Sequence, residues 1–185
     1  MIALVHLTLL LGAALPNSGD AALRCSIIVG GPFGSRPTGV ALTQRTVQRA
    51  DAIVRARALL ELRRPDADSV RRIEPSTRVR FQVLEVIWGA NLPTEFEVAG
   101  TLDGGDEFNP DTVPYLEPRS SALTGMCFSY RYRAGGEYAL LLHREQDGSY
   151  SPDWEPLQPV NEQVRGPNDP WLVWLRAEMH RLQRR

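Results

Sequence analysis

The sequence contains no lysine, so its 21 basic residues are all arginine, and with 22 acidic residues they give a net charge of -1. Proteins that bind nucleic acid through its phosphates usually carry a clustered basic excess, so this balance argues against a nucleic-acid partner. Histidine and cysteine are also scarce, with three and two residues. None of them stands at the ligand spacing of a structural zinc site, and we expect no metal and no other cofactor. The 185 residues, 43% of them hydrophobic, have the composition of one folded globular domain.

The first residues predict a signal peptide. Residues 2–15 form an apolar run as long as the hydrophobic region of a signal peptide and shorter than the roughly 20 residues of a membrane-spanning helix. Small residues then precede Ala22, and we expect residues 1–21 to be removed there. The mature protein would be periplasmic or secreted, with no stable membrane insertion after cleavage. The alternative is that the run is a buried first strand or helix of the domain.

The two cysteines, Cys25 and Cys127, both remain after the predicted cleavage. An even number of cysteines in an exported chain predicts a disulfide bond between them. Closing a loop of about 100 residues would stabilise the fold by at most about 4.7 kcal/mol in the chain-entropy description. The alternative is a reactive thiol at Cys127 with His143 as its base.

Period-two alternation of apolar residues predicts a series of β-strands. They cover residues 52–62, 78–88, 95–102 and 138–144, and Tyr150 begins a short edge strand that Pro152 interrupts. In the second strand the apolar face changes side between Val83 and Leu84. We expect a β-bulge there that bends the strand, as a small barrel requires.

The C-terminus predicts an α-helix over residues 170–183. Asp169 is a suitable N-cap and Pro170 suits the first turn. One stripe then carries the apolar side chains of Leu172, Leu175, Met179 and Leu182. We expect this stripe to pack on the strands, with Trp171 or Trp174 largely buried. The alternative is a basic helix at a membrane surface. Strands followed by one helix indicate a mainly β fold, a small closed or partly open barrel with an appended helix.

The order of short motifs resembles the netrin-like domain of the tissue inhibitors of metalloproteinases, over about residues 25–158. The motifs are Cys25 near the mature start, Ala50 and Asp51 before the first strand, residues 79–83 running to 87–89, Cys127, the glycines at 135 and 136, and residues 138–141. The resemblance implies an OB-like five-stranded barrel. The chain would then comprise a barrel domain over residues 22–165, with a long loop at 103–126, and a C-terminal helix within 166–185.

The resemblance does not extend to the inhibitory motif. In the inhibitors, a Cys-x-Cys at the mature N-terminus places the terminal amine and the first carbonyl on the protease zinc. Here Ser26 and Ile27 follow Cys25, so the second cysteine is absent. We therefore expect an exported, non-catalytic binding module of netrin-like type that contacts a protein or glycan partner. The alternatives are a metalloprotease inhibitor of the tissue-inhibitor type and, third, a secreted enzyme.

The loop at 103–126 is the candidate contact surface, since a loop of this length is more often functional than a plain connection. Its first nine residues are rich in oxygen ligands: Asp103, Asp106, Glu107, Asn109 and Asp111. Such a density could hold Ca²⁺, although the spacing is not that of an EF-hand. We expect a solvated acidic loop there rather than a metal site. Asp147, Asp153 and Glu155 would be the candidate carboxylates of a secreted glycosidase, but acids are common in and after a turn.

Overall fold

A computed structural model describes residues 39–63, 77–123 and 127–184, in which the chain is mainly β with two helices. The elements are α1 (Val40–Arg49), β1 (Ala52–Arg63), β2 (Thr77–Trp88), β3 (Glu95–Ala99), β4 (Glu137–Arg144), β5 (Tyr150–Pro152), β6 (Asn161–Val164) and α2 (Pro170–Gln183). All strand pairs are antiparallel, in the order β3-β2-β1-β4-β5, and β6 pairs with β4 beside β5. The predicted signal peptide and Cys25 lie outside the described residues, so cleavage, export and the disulfide bond remain predictions.

Strand β4 is buried on both faces, which explains its unbroken apolar run. Leu140 and Leu142 lie in a core cluster with Phe81 and other residues of β1, β2 and β3. Leu141 lies on the opposite face, in a second cluster built mainly with α2. A strand covered on both sides needs apolar residues at successive positions rather than alternating ones. The predicted burial of Leu140 and Leu142 on one face of β4 is therefore correct, and the opposite face, with Leu141, is buried as well.

The predicted bulge in β2 is confirmed. Arg55 of β1 pairs with Glu85, and the next residue, Ala56, pairs with Val83, so Leu84 has no partner in this ladder. Two further register shifts occur along the same strand pair. Bulges bend strands and increase their twist, and the sheet curls until β3 and β5, at opposite ends of its order, have Cα atoms within 8 Å of each other.

The sheet differs from the expected five-stranded barrel. Within the described residues the sheet has six strands, and its path of paired strands ends at β3 on one side and at β5 on the other without closing. The additional strand, β6, consists of Asn161, Glu162, Gln163 and Val164, and it was not predicted because three of these residues are polar. The third predicted strand also ends earlier than expected, at Ala99.

Helix α2 has the predicted bounds and the predicted N-cap, since the side chain of Asp169 accepts a hydrogen bond from the backbone N–H of Trp171. Leu172, Leu175 and Met179 are buried against the sheet, with Leu182 half-buried beside them. Trp171 is fully buried, as expected of one of the two tryptophans. Helix α1 precedes β1 and lies against α2.

Candidate functional site

Residues 100–136, which we call the connecting segment, link β3 to β4 and contain the predicted contact loop. The two ends of the segment are joined to each other, because Thr101 bonds through its backbone to Tyr130 and Tyr132. The first residue, Gly100, has a φ of 150°, and a Cβ there would lie 2.5 Å from the ring of Tyr132. The segment therefore begins where only glycine fits.

Arg119 lies in the middle of the connecting segment, and its side chain is only 1% exposed. Its Nε donates to the carbonyl of Asn161 at 3.0 Å, its Nη1 to the carbonyl of Arg131 at 2.6 Å, and its Nη2 to the carbonyl of Ser129 at 2.8 Å. One planar guanidinium thus bonds two backbone carbonyls of the segment and the first residue of β6. Arginine suits this position because its five N–H groups point in fixed directions within one plane.

The charge of Arg119 is balanced inside the protein. Its Nη1 lies 2.6 Å from a carboxylate oxygen of Glu107, whose side chain is 14% exposed. The guanidinium carbon also lies 5.1 Å from the ring centre of Tyr132 and 5.3 Å from that of Tyr138. A buried cation is tolerated only when it is paired and fully hydrogen-bonded, and this one has both kinds of partner.

Strand β6 supplies the other side of this network. Glu162 is fully buried, and its carboxylate accepts from the backbone N–H of Arg119 and from Nδ2 of Asn109, each at 3.0 Å. Burial raises the pKa of Glu162 to about 7, although the charge of Arg119 acts in the opposite direction. The neighbouring Asn161 donates to the carbonyl of Ser129 and to the hydroxyl of Tyr132. We call Arg119, Glu107, Asn109, Asn161 and Glu162 the Arg119 network.

Two of the predicted contact residues, Glu107 and Asn109, belong to this network, and the other three lie nearer the surface. Asp106 is exposed and pairs with Arg133 at 2.9 Å while accepting from Gln163 of β6 at 2.6 Å. Asp103 lies 3.4 Å from Nε of Arg131. Asp111 is exposed, and its backbone N–H donates to the side chain of Asn109. The arginines of the same segment and β6 therefore hold the acidic end of the predicted loop.

The residues of the alternative sites have other partners. Nδ1 of His143 lies 2.7 Å from a carboxylate oxygen of Asp51, at the start of β1. Asp153 and Glu155 both bond Arg49 of α1, at 3.0 and 2.7 Å. Within the part of the chain that the structure describes, no three potential metal ligands come together, and no helix is long and apolar enough to cross a membrane.

Arg119, Asn161 and Glu162 were not predicted as functional residues. The signal for Asn161 and Glu162 is a run of polar residues, 161–163, between Val160 and Val164, and Arg119 has no comparable signal. A run of this kind in a buried strand requires polar partners elsewhere, because buried polar groups are almost always hydrogen-bonded. Periodicity indicates that partners are needed but not which residues supply them.

The outer surface of the connecting segment carries two large apolar side chains. Leu116 is 45% exposed and Leu123 is 52% exposed. Leu116 lies between Tyr115, which is buried, and Glu117, whose carbonyl accepts from Asn109. The backbone on both sides of this leucine is therefore fixed while its side chain faces solvent.

Comparison with protein-family models and with curated proteins found no match for this chain.

Proposed function

We propose that the chain is an exported, non-catalytic binding module of netrin-like type, which contacts a protein or glycan partner through the connecting segment. The observation that carries the proposal is the burial of Arg119 within that segment. Taking a guanidinium out of water is costly, and the bonds of this one fix the course of a surface segment. A binding loop that is already ordered loses less conformational entropy when its partner binds.

The exposed leucines indicate which part of the segment meets the partner. Single exposed apolar residues are common on protein surfaces, but Leu116 stands on a backbone that the Arg119 network holds in place. Apolar anchors that are fixed in the free protein make efficient contacts because little reorganisation is needed. We assign Leu116 as a contact residue on this ground, and Leu123 as a second one because its side chain is 52% exposed on the same segment.

The fold part of the proposal is a partly open OB-type barrel. Three register shifts in the β1–β2 pair and the approach of β3 to β5 support it, because a sheet must curl in this way before it can close. The apolar run at residues 2–15 and the even number of cysteines support export.

Site-specific photo-crosslinking in the exporting cell tests the contact surface. A photoreactive amino acid would replace Leu116 or Leu123 in the full-length chain, and the matched control would replace Val173, which is 53% exposed on α2. We expect a crosslinked product of defined mass from the two segment positions and none from the control. The companion change Leu116→Asp should reduce crosslinking from position 123. Equal products from all three positions, or none from the segment, would contradict the proposal.

Mass spectrometry of the exported protein separates binding from protease inhibition. We expect a mature N-terminus at about Ala22, which leaves the amine of Cys25 inside the chain. The purified mature protein should then leave the activity of zinc endopeptidases unchanged. A mature chain that begins at Cys25 and inhibits such enzymes would replace the binding module with the inhibitor as the function.

A further inference from the structure

Two carboxyl groups lie beside the one buried cation, Arg119, of the Arg119 network. Glu107 pairs directly with the guanidinium, and Glu162 accepts from the backbone N–H of the same arginine. One positive charge balances one carboxylate, so an ionised Glu162 adds a second negative charge at a position that solvent does not reach. Glu162 is the more deeply buried of the two, at 0% exposure.

Ionisation of Glu162 affects how the connecting segment is bound to β6. Its two hydrogen-bond donors, Asn109 and Arg119, both belong to that segment, while Glu162 itself belongs to β6. We propose that the carboxyl group of Glu162 is a proton-dependent attachment point: binding one proton holds the connecting segment on β6, and losing it weakens that attachment. The biological consequence rests on the proposed function, in which this segment contacts the partner.

Burial and the nearby Glu107 raise the pKa of Glu162, whereas the charge of Arg119 and the hydrogen bonds from Asn109 and from the backbone N–H of Arg119 lower it. The charged groups that the connecting segment brings to Glu162 are Arg119 and Glu107. Tyr115, which stacks on Trp171 of α2, is a further titratable neighbour, influenced by both Glu162 and the α2 cap Asp169. Burial raises the pKa of Tyr115 to about 12, so this group stays protonated over the relevant range. On β4, the residue paired with Glu162 is the uncharged Ala139.

The direction of the pH dependence follows from the pKa of Glu162 in two states. In the attached state the connecting segment covers Glu162, and in the open state the segment has left β6 and water reaches the carboxyl group. Burial raises the pKa of Glu162 to about 7, above the value of 4.5 that the group has in water. The attached state therefore binds the proton more tightly than the open state does. The resulting stabilisation is complete below the ordinary pKa and is lost as the pH rises through about 7.

Hydrogen exchange of the mature protein at about pH 5.5 and about pH 8.5, corrected for the intrinsic exchange rates, measures this attachment without any partner. With the two pKa values above, the population in which the segment is open should rise roughly 30-fold between these conditions. The rise should appear in peptides around Asn109, Arg119 and Glu162. Peptides from β1 are the internal control and should change less. An equal change throughout the sheet would overturn the proposal.

Three variants make the test specific. Glu162→Gln cannot ionise and should remove the pH dependence of the segment. Glu117→Gln, a matched change at an exposed carboxyl of the same segment, should leave it intact. Glu107→Gln leaves Glu162 as the one carboxylate beside Arg119, so the midpoint of the pH-dependent opening should move to lower pH. This variant tests the proposal even if Glu162→Gln does not fold. A pH dependence that persists in Glu162→Gln, or a midpoint unmoved in Glu107→Gln, refutes the inference but leaves partner binding untouched.

Discussion

Replacing Arg119 with methionine tests whether the Arg119 network organises the connecting segment. The variant keeps much of the side-chain volume and removes every donor of the guanidinium. The carbonyls of Arg131 and Asn161 then lose the guanidinium as a donor, and the carbonyl of Ser129 keeps Asn161 but loses Arg119. Glu107 becomes an unpaired carboxylate in a nearly buried position. Each of these losses acts on the folded state alone.

The magnitude follows from the burial of the pair. Removing one partner of a buried ion pair typically costs about 3–5 kcal/mol, because the remaining charge stays buried without compensation. Some water can reach Glu107, whose side chain is 14% exposed, so we expect a value near the lower end of that range, about 3 kcal/mol. Domains of this kind unfold with about 5–15 kcal/mol, and the variant should therefore lose a large share of its stability.

Urea unfolding of the mature protein, followed by circular dichroism, measures this loss. The matched control is Arg133→Met, which removes an arginine of the same segment whose side chain is 52% exposed and pairs with the exposed Asp106. Such a surface pair contributes about 0–1 kcal/mol. The double variant Arg119→Met with Glu107→Gln should recover about 1 kcal/mol, because it also removes the unpaired carboxylate. If Arg119→Met and Arg133→Met unfold at the same urea concentration, the buried network does not organise the segment.

Three other predictions concern the rest of the fold. Leu175→Ala should lower the free energy of unfolding by about 2–5 kcal/mol in urea, because the leucine is fully buried between α2 and the sheet. Truncation before Asn168 should lower it further. An unchanged melting temperature of the truncated protein would show that α2 does not stabilise the fold. Gly100→Ala should destabilise the fold, because its Cβ would meet the ring of Tyr132, and a melting temperature equal to that of the parent would contradict this close approach. The mature protein should contain no titratable thiol under denaturing, non-reducing conditions, because we expect Cys25 and Cys127 to be bonded; two thiols would refute the bond.

The elements that apolar periodicity defines could be predicted from the sequence. Helix α2 has its expected start because Asp169 caps it and because its apolar stripe repeats at helical spacing. The bulge at Leu84 was also predictable, since an apolar face that changes side within one strand requires an extra residue. In both cases the information lies within a few neighbouring residues.

The candidate site could be predicted only in part. The acidic start of the loop was visible, and two of its residues, Glu107 and Asn109, do belong to the Arg119 network. The contacts that complete the network are distant in sequence, since Asn109 bonds Glu162 across 53 residues and Arg119, the partner of Glu107, bonds Asn161 across 42. No local rule selects Arg119 among 21 arginines as a buried one. For the same reason β6 was not predicted, because its polar residues Asn161 and Glu162 are hydrogen-bonded to that arginine.

The position of β6 in the sheet explains why one buried arginine has so wide an influence. Its main chain pairs with β4 over only four residues, and a strand this short contributes few ladder hydrogen bonds of its own. Its side chains make up the rest, since Asn161 bonds the carbonyl of Ser129, Glu162 bonds the backbone of Arg119, and Gln163 bonds Asp106. The connecting segment and β6 therefore depend on each other, because each satisfies polar groups that the other buries. A change that loosens the segment must also weaken the edge of the sheet that β6 covers.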